Sequence, residues 1–242
     1  MAFEEVRIGQ CRLICGDARE VVPMLGPVDA IVTDPPYGIG GDIPIAPTKP
    51  SRPSTYLHLK KYEYFSWDTK PDKAMIALML QRSQYQIIWG GNYFAHWLPP
   101  SRGWLFWDKL FDHTTNFSHG ELAWTSLDQR LKKLTCSSKA ETNGGEDRAH
   151  PTQKPVAVMR WCLQQLPPAC HRICDPYAGV GSTGVACVEQ SKAFIGIERE
   201  PAYFEVMCRR IEEAYQQMTL FPVVARCVEP QQVSLFATVG GA

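Results

Sequence analysis

The chain has 242 residues, and its 25 Lys plus Arg balance 25 Asp plus Glu, so the formal net charge is zero and no global field drives it onto nucleic acid or a membrane. That length suits one large α/β domain with a sizeable core, and any nucleic-acid contact must come from local basic patches. The nine cysteines are scattered without a Cys-x-x-Cys pair and read as reduced core residues rather than zinc ligands. With no charged-then-apolar leader and no apolar run as long as a membrane span, a cytoplasmic protein is expected.

Residues 10–15 alternate weakly and read as a strand ending at Gly16-Asp17-Ala18, followed by a short helix over 19–25. The β-branched run 28–33 reads as a buried strand, stopped by Asp34-Pro35-Pro36-Tyr37-Gly38, because consecutive prolines lack N–H donors and fix φ. If both strands are parallel, Asp17 and Asp34 stand beside each other at one sheet edge, the edge where open α/β sheets bind ligands. The Asp34 carboxylate and the Pro35 carbonyl can each accept one N–H of an amino group on a flat heterocycle, and Tyr37 can stack on its ring. The plain structural alternative is a strand followed by a Pro-rich turn with an Asx-type first residue.

Residues 39–70 are Pro-rich, aromatic and basic without sustained periodicity, and a connection of that length is usually functional or mobile. A helix is predicted over 71–82, a strand over 85–89, a Gly90-Gly91-Asn92 turn, a short helix over 93–97, and strands over 104–107 and 121–124. Most of the seven tryptophans are expected in the core. Residues 130–145 carry Arg130, Lys132, Lys133 and Lys139 without a period and read as a loop or adaptable basic segment. His150-Pro151-Thr152-Gln153-Lys154-Pro155 leads into a helix over 156–166. A strand over 171–174 then meets the turn Asp175-Pro176-Tyr177-Ala178-Gly179-Val180-Gly181-Ser182. A helix over 183–189, a strand over 193–197 ending at Glu198, and a long amphipathic helix over 201–217 complete the pattern. Alternating strands and helices imply a mostly parallel sheet covered on both faces.

Gly179-Val180-Gly181-Ser182-Thr183-Gly184 follows a strand with the G-x-G-x-x-G spacing, and Glu198 closes the next strand where it can accept from a ribose hydroxyl pair, so a nicotinamide dinucleotide must be considered. Asp175 separates the alternatives. A carboxylate at the strand tip repels a pyrophosphate and can pair with an ammonium. S-adenosylmethionine carries an ammonium and no phosphate. Asp17 can then accept from the adenine amine, or it is simply a turn residue.

Asp34-Pro35-Pro36-Tyr37, the Asp175-Pro176-Tyr177-x-Gly179-x-Gly181-Ser182 turn, Glu198 and the segment from His150 to Pro155 together resemble the DNA amino-methyltransferases over nearly the whole chain. Because the tetrad precedes the glycine turn, the resemblance is to the permuted, beta-class arrangement. It implies a Rossmann-like methyltransferase sheet, S-adenosylmethionine as cofactor, and methylation of DNA, as in restriction-modification systems, by base flipping. It implies that Asp34, Pro35, Pro36 and Tyr37 hold the flipped base. Asp175, Gly179, Gly181 and Ser182 would line the methionine part, Glu198 would take the ribose and Asp17 would lie near the adenine, with Ala18, Pro176, Tyr177, Thr183 and Arg199 also at the cofactor. His150, Thr152 and Lys154 would contact the cofactor before the closing helix. Tyr177 departs from the usual Phe, keeping the ring and adding a hydroxyl. An initial Asp in the tetrad is associated in the family more with adenine-N6 than with cytosine-N4 transfer. RNA as substrate, or an idle cofactor-binding regulator, are the rival readings.

The expected organisation is one catalytic domain over 1–217, with 39–70 and 127–149 as DNA-contacting loops and 218–242 as a tail. Gln217-Met218-Thr219-Leu220-Phe221 and Gln232-Val233-Ser234-Leu235-Phe236 both read Gln-x-[Ser/Thr]-Leu-Phe, which resembles peptides that dock on the bacterial sliding clamp. A homodimer is also an open expectation.

Overall fold

The computed structural model describes residues 3–38, 69–110, 118–137 and 153–220. Among them nine strands form one sheet in the spatial order β1-β2-β9-β8-β3-β4-β6-β5-β7. The strands are β1 (Glu4–Ile8), β2 (Cys11–Cys15), β3 (Val28–Thr33), β4 (Ser83–Trp89), β5 (Trp104–Asp108), β6 (Gly120–Thr125), β7 (Lys132–Thr135), β8 (Arg172–Asp175) and β9 (Ala193–Glu198). The helices are α1 (Ala18–Val21), α2 (Lys73–Arg82), α3 (Val156–Leu163), α4 (Ser182–Glu189) and α5 (Pro201–Leu220). The five strands β2, β9, β8, β3 and β4 run parallel; β6 pairs antiparallel with β4 and β5, β5 runs parallel to β7, and β1 hairpins back on β2.

The central strands are apolar at nearly every position because both faces are covered. Leu13, Ala30, Val32, Ile87 and Ile173 point into the cluster shared with α3, α4 and α5. Their chain neighbours Ile14, Ile31, Ile88 and Cys174 point into the other, shared with α1 and α2. This is the period-2 alternation of a pleated strand. Of the six tryptophans among the described residues, Trp89, Trp107 and Trp124 are buried, and Trp97, Trp104 and Trp161 are partly buried against the two clusters.

Several elements differ from expectation. β1 was not predicted: its Glu4-Glu5-Val6-Arg7-Ile8 buries little, and an edge strand held by one neighbour leaves no clear apolar alternation. β7 lies inside the stretch read as a basic loop; its Lys132 and Lys133 face solvent on an outer edge, so the polar composition reflects its position. The expected helix over 93–97 is a 3-10 turn at Gly91–Tyr93. α5 continues to Leu220, so Gln217 to Leu220 are helical rather than the start of an extended peptide. The repeat at 232–236, most of 39–70, and 138–149 lie outside the described residues. No helix among the described residues is long and apolar enough to cross a membrane.

Candidate functional site

Parallel strands put their carboxyl ends on one edge, and four acidic residues line it in strand order: Asp17 after β2, Glu198 ending β9, Asp175 ending β8 and Asp34 after β3. Asp17 and Asp34 are therefore not neighbours. β9 and β8 stand between their strands, because the eighth and ninth strands of the chain insert between the second and the third.

Asp175 sits at the centre and is 2% exposed. Its Oδ1 accepts from the Thr33 hydroxyl at 2.6 Å and the Tyr177 N–H at 3.1 Å, and its Oδ2 accepts from the Thr183 hydroxyl at 2.6 Å. Burial pushes its carboxyl up to about 6, against the downward pull of the two hydroxyls and the N–H. A carboxylate offers roughly four acceptor positions, so one remains for a ligand. The turn that follows is shaped by Gly181, which holds φ +84° as the residue before α4, a conformation that favours glycine. At Gly179 an added Cβ would meet nothing within 4 Å, so its backbone faces open space. Glu198 accepts from the Gly179 N–H through Oε2 and from the Glu200 N–H through Oε1, both at 2.8 Å. Burial raises its carboxyl, and those N–H groups oppose the shift. Pro176 and Ala178 are buried; Tyr177 packs against the α1 and α2 face. Ser182 and Thr183 are buried, with Arg210 3.4 Å from the Ser182 hydroxyl. Asp17 caps α1 by accepting from the Arg19 N–H at 2.8 Å, Ala18 is buried, and Arg199 is exposed in a surface pair with Glu200.

On the neighbouring strand the tetrad forms a second half-site. Pro35 is buried, while Asp34, Pro36 and Tyr37 are partly exposed. The Tyr37 hydroxyl donates to Asp34 Oδ1 at 2.6 Å. Lys154, expected at the cofactor, instead places its ammonium 2.7 Å from Asp34 Oδ2 and 2.7 Å from Glu121 Oε2. Lys109 pairs with the other Glu121 oxygen. Burial raises the Asp34 carboxyl; Lys154 pulls it down without cancelling that, and Glu121 adds to the rise. Burial also works on Glu121, but the Lys154 and Lys109 ammoniums outweigh it and hold its carboxyl down at about 2. Lys154 stays an ammonium: burial favours its neutral form, and the two carboxylates more than reverse that.

Tyr37 was expected to offer a free stacking face. Its ring is already stacked on Tyr93, with centroids 5.0 Å apart and planes at 20°. Gly90 makes room for it: with φ +67°, an added Cβ there would sit 2.1 Å from Tyr37 Cε1. Gly90→Ala is expected to cost roughly 2–4 kcal/mol from backbone strain and overlap. Gly26→Ala, where a Cβ meets nothing, is the control in a thermal melt; equal midpoints would refute the packing argument. Lys109, Glu121 and Tyr93 were not singled out from the sequence. An acid opening an otherwise apolar strand at Gly120-Glu121-Leu122-Ala123-Trp124 was the signal available. His150 and Thr152 lie outside the described residues.

A family model described as DNA methylase matches residues 60–209, more than half of the chain. The chain belongs to the DNA methylase family. The matched stretch of this methylase includes Lys154, the glycine turn and Glu198, and the Asp34 tetrad precedes it. It is 27% identical to the type II methyltransferase M2.MboI of Moraxella bovis over 126 residues, 50% of this chain and 45% of that one. Against M.ScaI of Streptomyces caespitosus it is 30% identical over 82 residues, 34% of this chain and 27% of that one. The matches thus span less than half the length of these relatives. The fold is that of the M1.HpyAVI–SAM complex, with TM-score 0.56, 22% identity, 83% of this chain and 99% of that chain covered. PvuII DNA methyltransferase (cytosine-N4-specific) aligns with TM-score 0.52 and 14% identity over 86% of this methylase and 92% of that chain. The sheet is accordingly the Rossmann-like methyltransferase sheet expected from the sequence.

Proposed function

We propose that this DNA methylase transfers a methyl group from S-adenosylmethionine to the N6 amine of adenine in DNA. The observation that carries the reading is the junction of the two half-sites. Asp34 and Asp175 end adjacent parallel strands, and the Thr33 hydroxyl at the end of β3 donates to Asp175 on β8 at 2.6 Å. A cofactor seated at one carboxylate and a base held at the other would thus be neighbours.

The residues present fit such a cofactor. Asp175 keeps an acceptor position for an ammonium, Gly179 leaves its backbone open, and Glu198 stands on the adjacent strand for a ribose. When bound, S-adenosylmethionine supplies an electrophilic methyl on a sulfonium sulfur. Asp34 and the Pro35 carbonyl accept the two N–H bonds of the target amine. This draws its lone pair out of conjugation with the ring. As the nitrogen–methyl bond formed, the sulfur–methyl bond would break and sulfur would leave as a neutral thioether. Asp34 stabilises the positive charge passing to nitrogen more strongly in the transition state than in the ground state, the condition for catalysis. The surplus N–H proton would then be lost to solvent. A stacked, paired base is out of reach of such a pocket, so a duplex substrate must be flipped at a cost of a few kcal/mol. Tyr37 would stack on the base, with Tyr93 moving aside or forming a second wall. We read the motif order as the permuted arrangement, residues 39–70 and 127–149 as DNA-contacting, and a short or relaxed target sequence as following from their size.

Nucleoside mass spectrometry of DNA incubated with protein and isotopically labelled S-adenosylmethionine tests this. N6-methyladenine is expected. N4-methylcytosine would transfer the reading to cytosine, the alternative that likeness to an N4-specific enzyme keeps open. No labelled base would overturn it.

A further inference from the structure

Asp34 does not stand alone at the sheet edge. The Lys154 ammonium lies 2.7 Å from both Asp34 and Glu121 and donates to the Tyr37 hydroxyl at 3.1 Å. The rings of Tyr37 and Trp89 have their centroids 5.6 and 5.2 Å from it. Lys154 is 6% exposed, so its charge is divided between two carboxylates rather than screened by water. Such a cluster is a poor stability device, because desolvation offsets the Coulomb gain of a buried pair. The arrangement instead suits control of Asp34.

The control is two-sided. Asp34 is partly buried and so loses part of the hydration that keeps it ionised, and the nearby Lys154 ammonium favours its carboxylate form. A lysine bound to Asp34 alone would also weaken the attraction of that carboxylate for positive charge on a target nitrogen. We propose that Glu121 is a positioning residue for methyl transfer: by sharing the Lys154 ammonium it lets Asp34 accept the target amine with its negative charge largely uncompensated. This rests on the reading of Asp34 as the amine acceptor. The groups facing Asp34 are Lys154 ahead of α3, Glu121 on β6, Tyr37 in its own turn, Asp175 at the end of β8 and the Cys162 thiol on α3; Lys109, after β5, acts through Glu121.

The test combines the single-turnover methyl-transfer rate against pH with carbon-13 NMR titration of the Asp34 carboxyl, on the full chain with an oligonucleotide duplex. In Glu121→Gln, Lys154 falls wholly to Asp34, so the NMR midpoint and the acid limb of the rate profile both move down by about one pH unit. The rate at neutral pH falls by up to about tenfold, and Glu121→Asp restores part of it. Lys109→Gln acts in the opposite sense: Glu121 then draws Lys154 more strongly, and both readouts move up. Because the two variants predict opposite signs, a Glu121 variant that fails to fold leaves Lys109→Gln as the deciding measurement. Unmoved midpoints, shifts of the same sign in the two variants, or an NMR shift with an unmoved rate profile would each overturn the proposal. A wild-type protein that transfers no methyl group would sink the functional reading instead, while the NMR midpoints still decide the charge sharing.

Discussion

Asp34→Ala is expected to abolish methyl transfer, with a loss of roughly a thousandfold or more, while S-adenosylmethionine still binds. The removed carboxylate is the acceptor that would grip the amine and stabilise its developing charge. The fold should survive, because Lys154 keeps Glu121 at 2.7 Å and the Tyr37 hydroxyl at 3.1 Å, so its ammonium is not stranded. Asp175 belongs to the other half-site and keeps its Thr33, Thr183 and Tyr177 donors, so cofactor affinity by calorimetry should stay within a few-fold of wild type. Asp34→Asn, which preserves volume, should be nearly as slow. Transfer by Asp34→Ala within tenfold of wild type would remove this residue from the chemistry. Joint loss of cofactor binding and activity would indicate a general defect.

Asp175→Asn is expected to separate stability from cofactor binding. The folded carboxyl titrates at about 6, above the ordinary range near 4, so the folded state holds its proton more tightly than the unfolded one. The sign follows: this contribution is fully present below about pH 4 and is lost as pH rises through about 6, amounting to about 3 kcal/mol. Asparagine mimics the protonated form, accepting from one hydroxyl and donating to the other. At neutral pH the variant should melt no lower than wild type, and its midpoint should fall less than that of wild type between pH 4 and 6, with the raised Asp34 and Glu198 carboxyls supplying what fall remains. A residue retained at such a cost suggests a ligand requirement. Without the negative charge, affinity for S-adenosylmethionine should drop by roughly thirtyfold or more, as when one member of a buried charge pair is truncated. Unchanged affinity would return Asp175 to a purely structural role, that of tying β3 to α4.

The parallel core, the crossover helices and the two acidic turns were legible in the chain itself, for local reasons. A β-branched run buried on both faces marks β3, the apolar end Ile87-Ile88-Trp89 before a glycine turn marks β4, paired prolines end β3, and glycines mark the turn into α4. Each signal resides in a few consecutive residues, and each concerns backbone conformation or continuous burial. Long-range order was required for the rest. Which strand adjoins which decided that Asp175, rather than Asp17, stands beside Asp34. The meeting of Lys154 and Glu121 joins residues far apart in the chain: a motif marks Lys154 and an acid heads β6, but nothing in either local pattern pairs one with the other. A lone charged residue in an apolar strand reads as solvent-facing until the opposite charge is seen to arrive, because charge pairing in a folded protein depends on distance in space and has no period along the sequence.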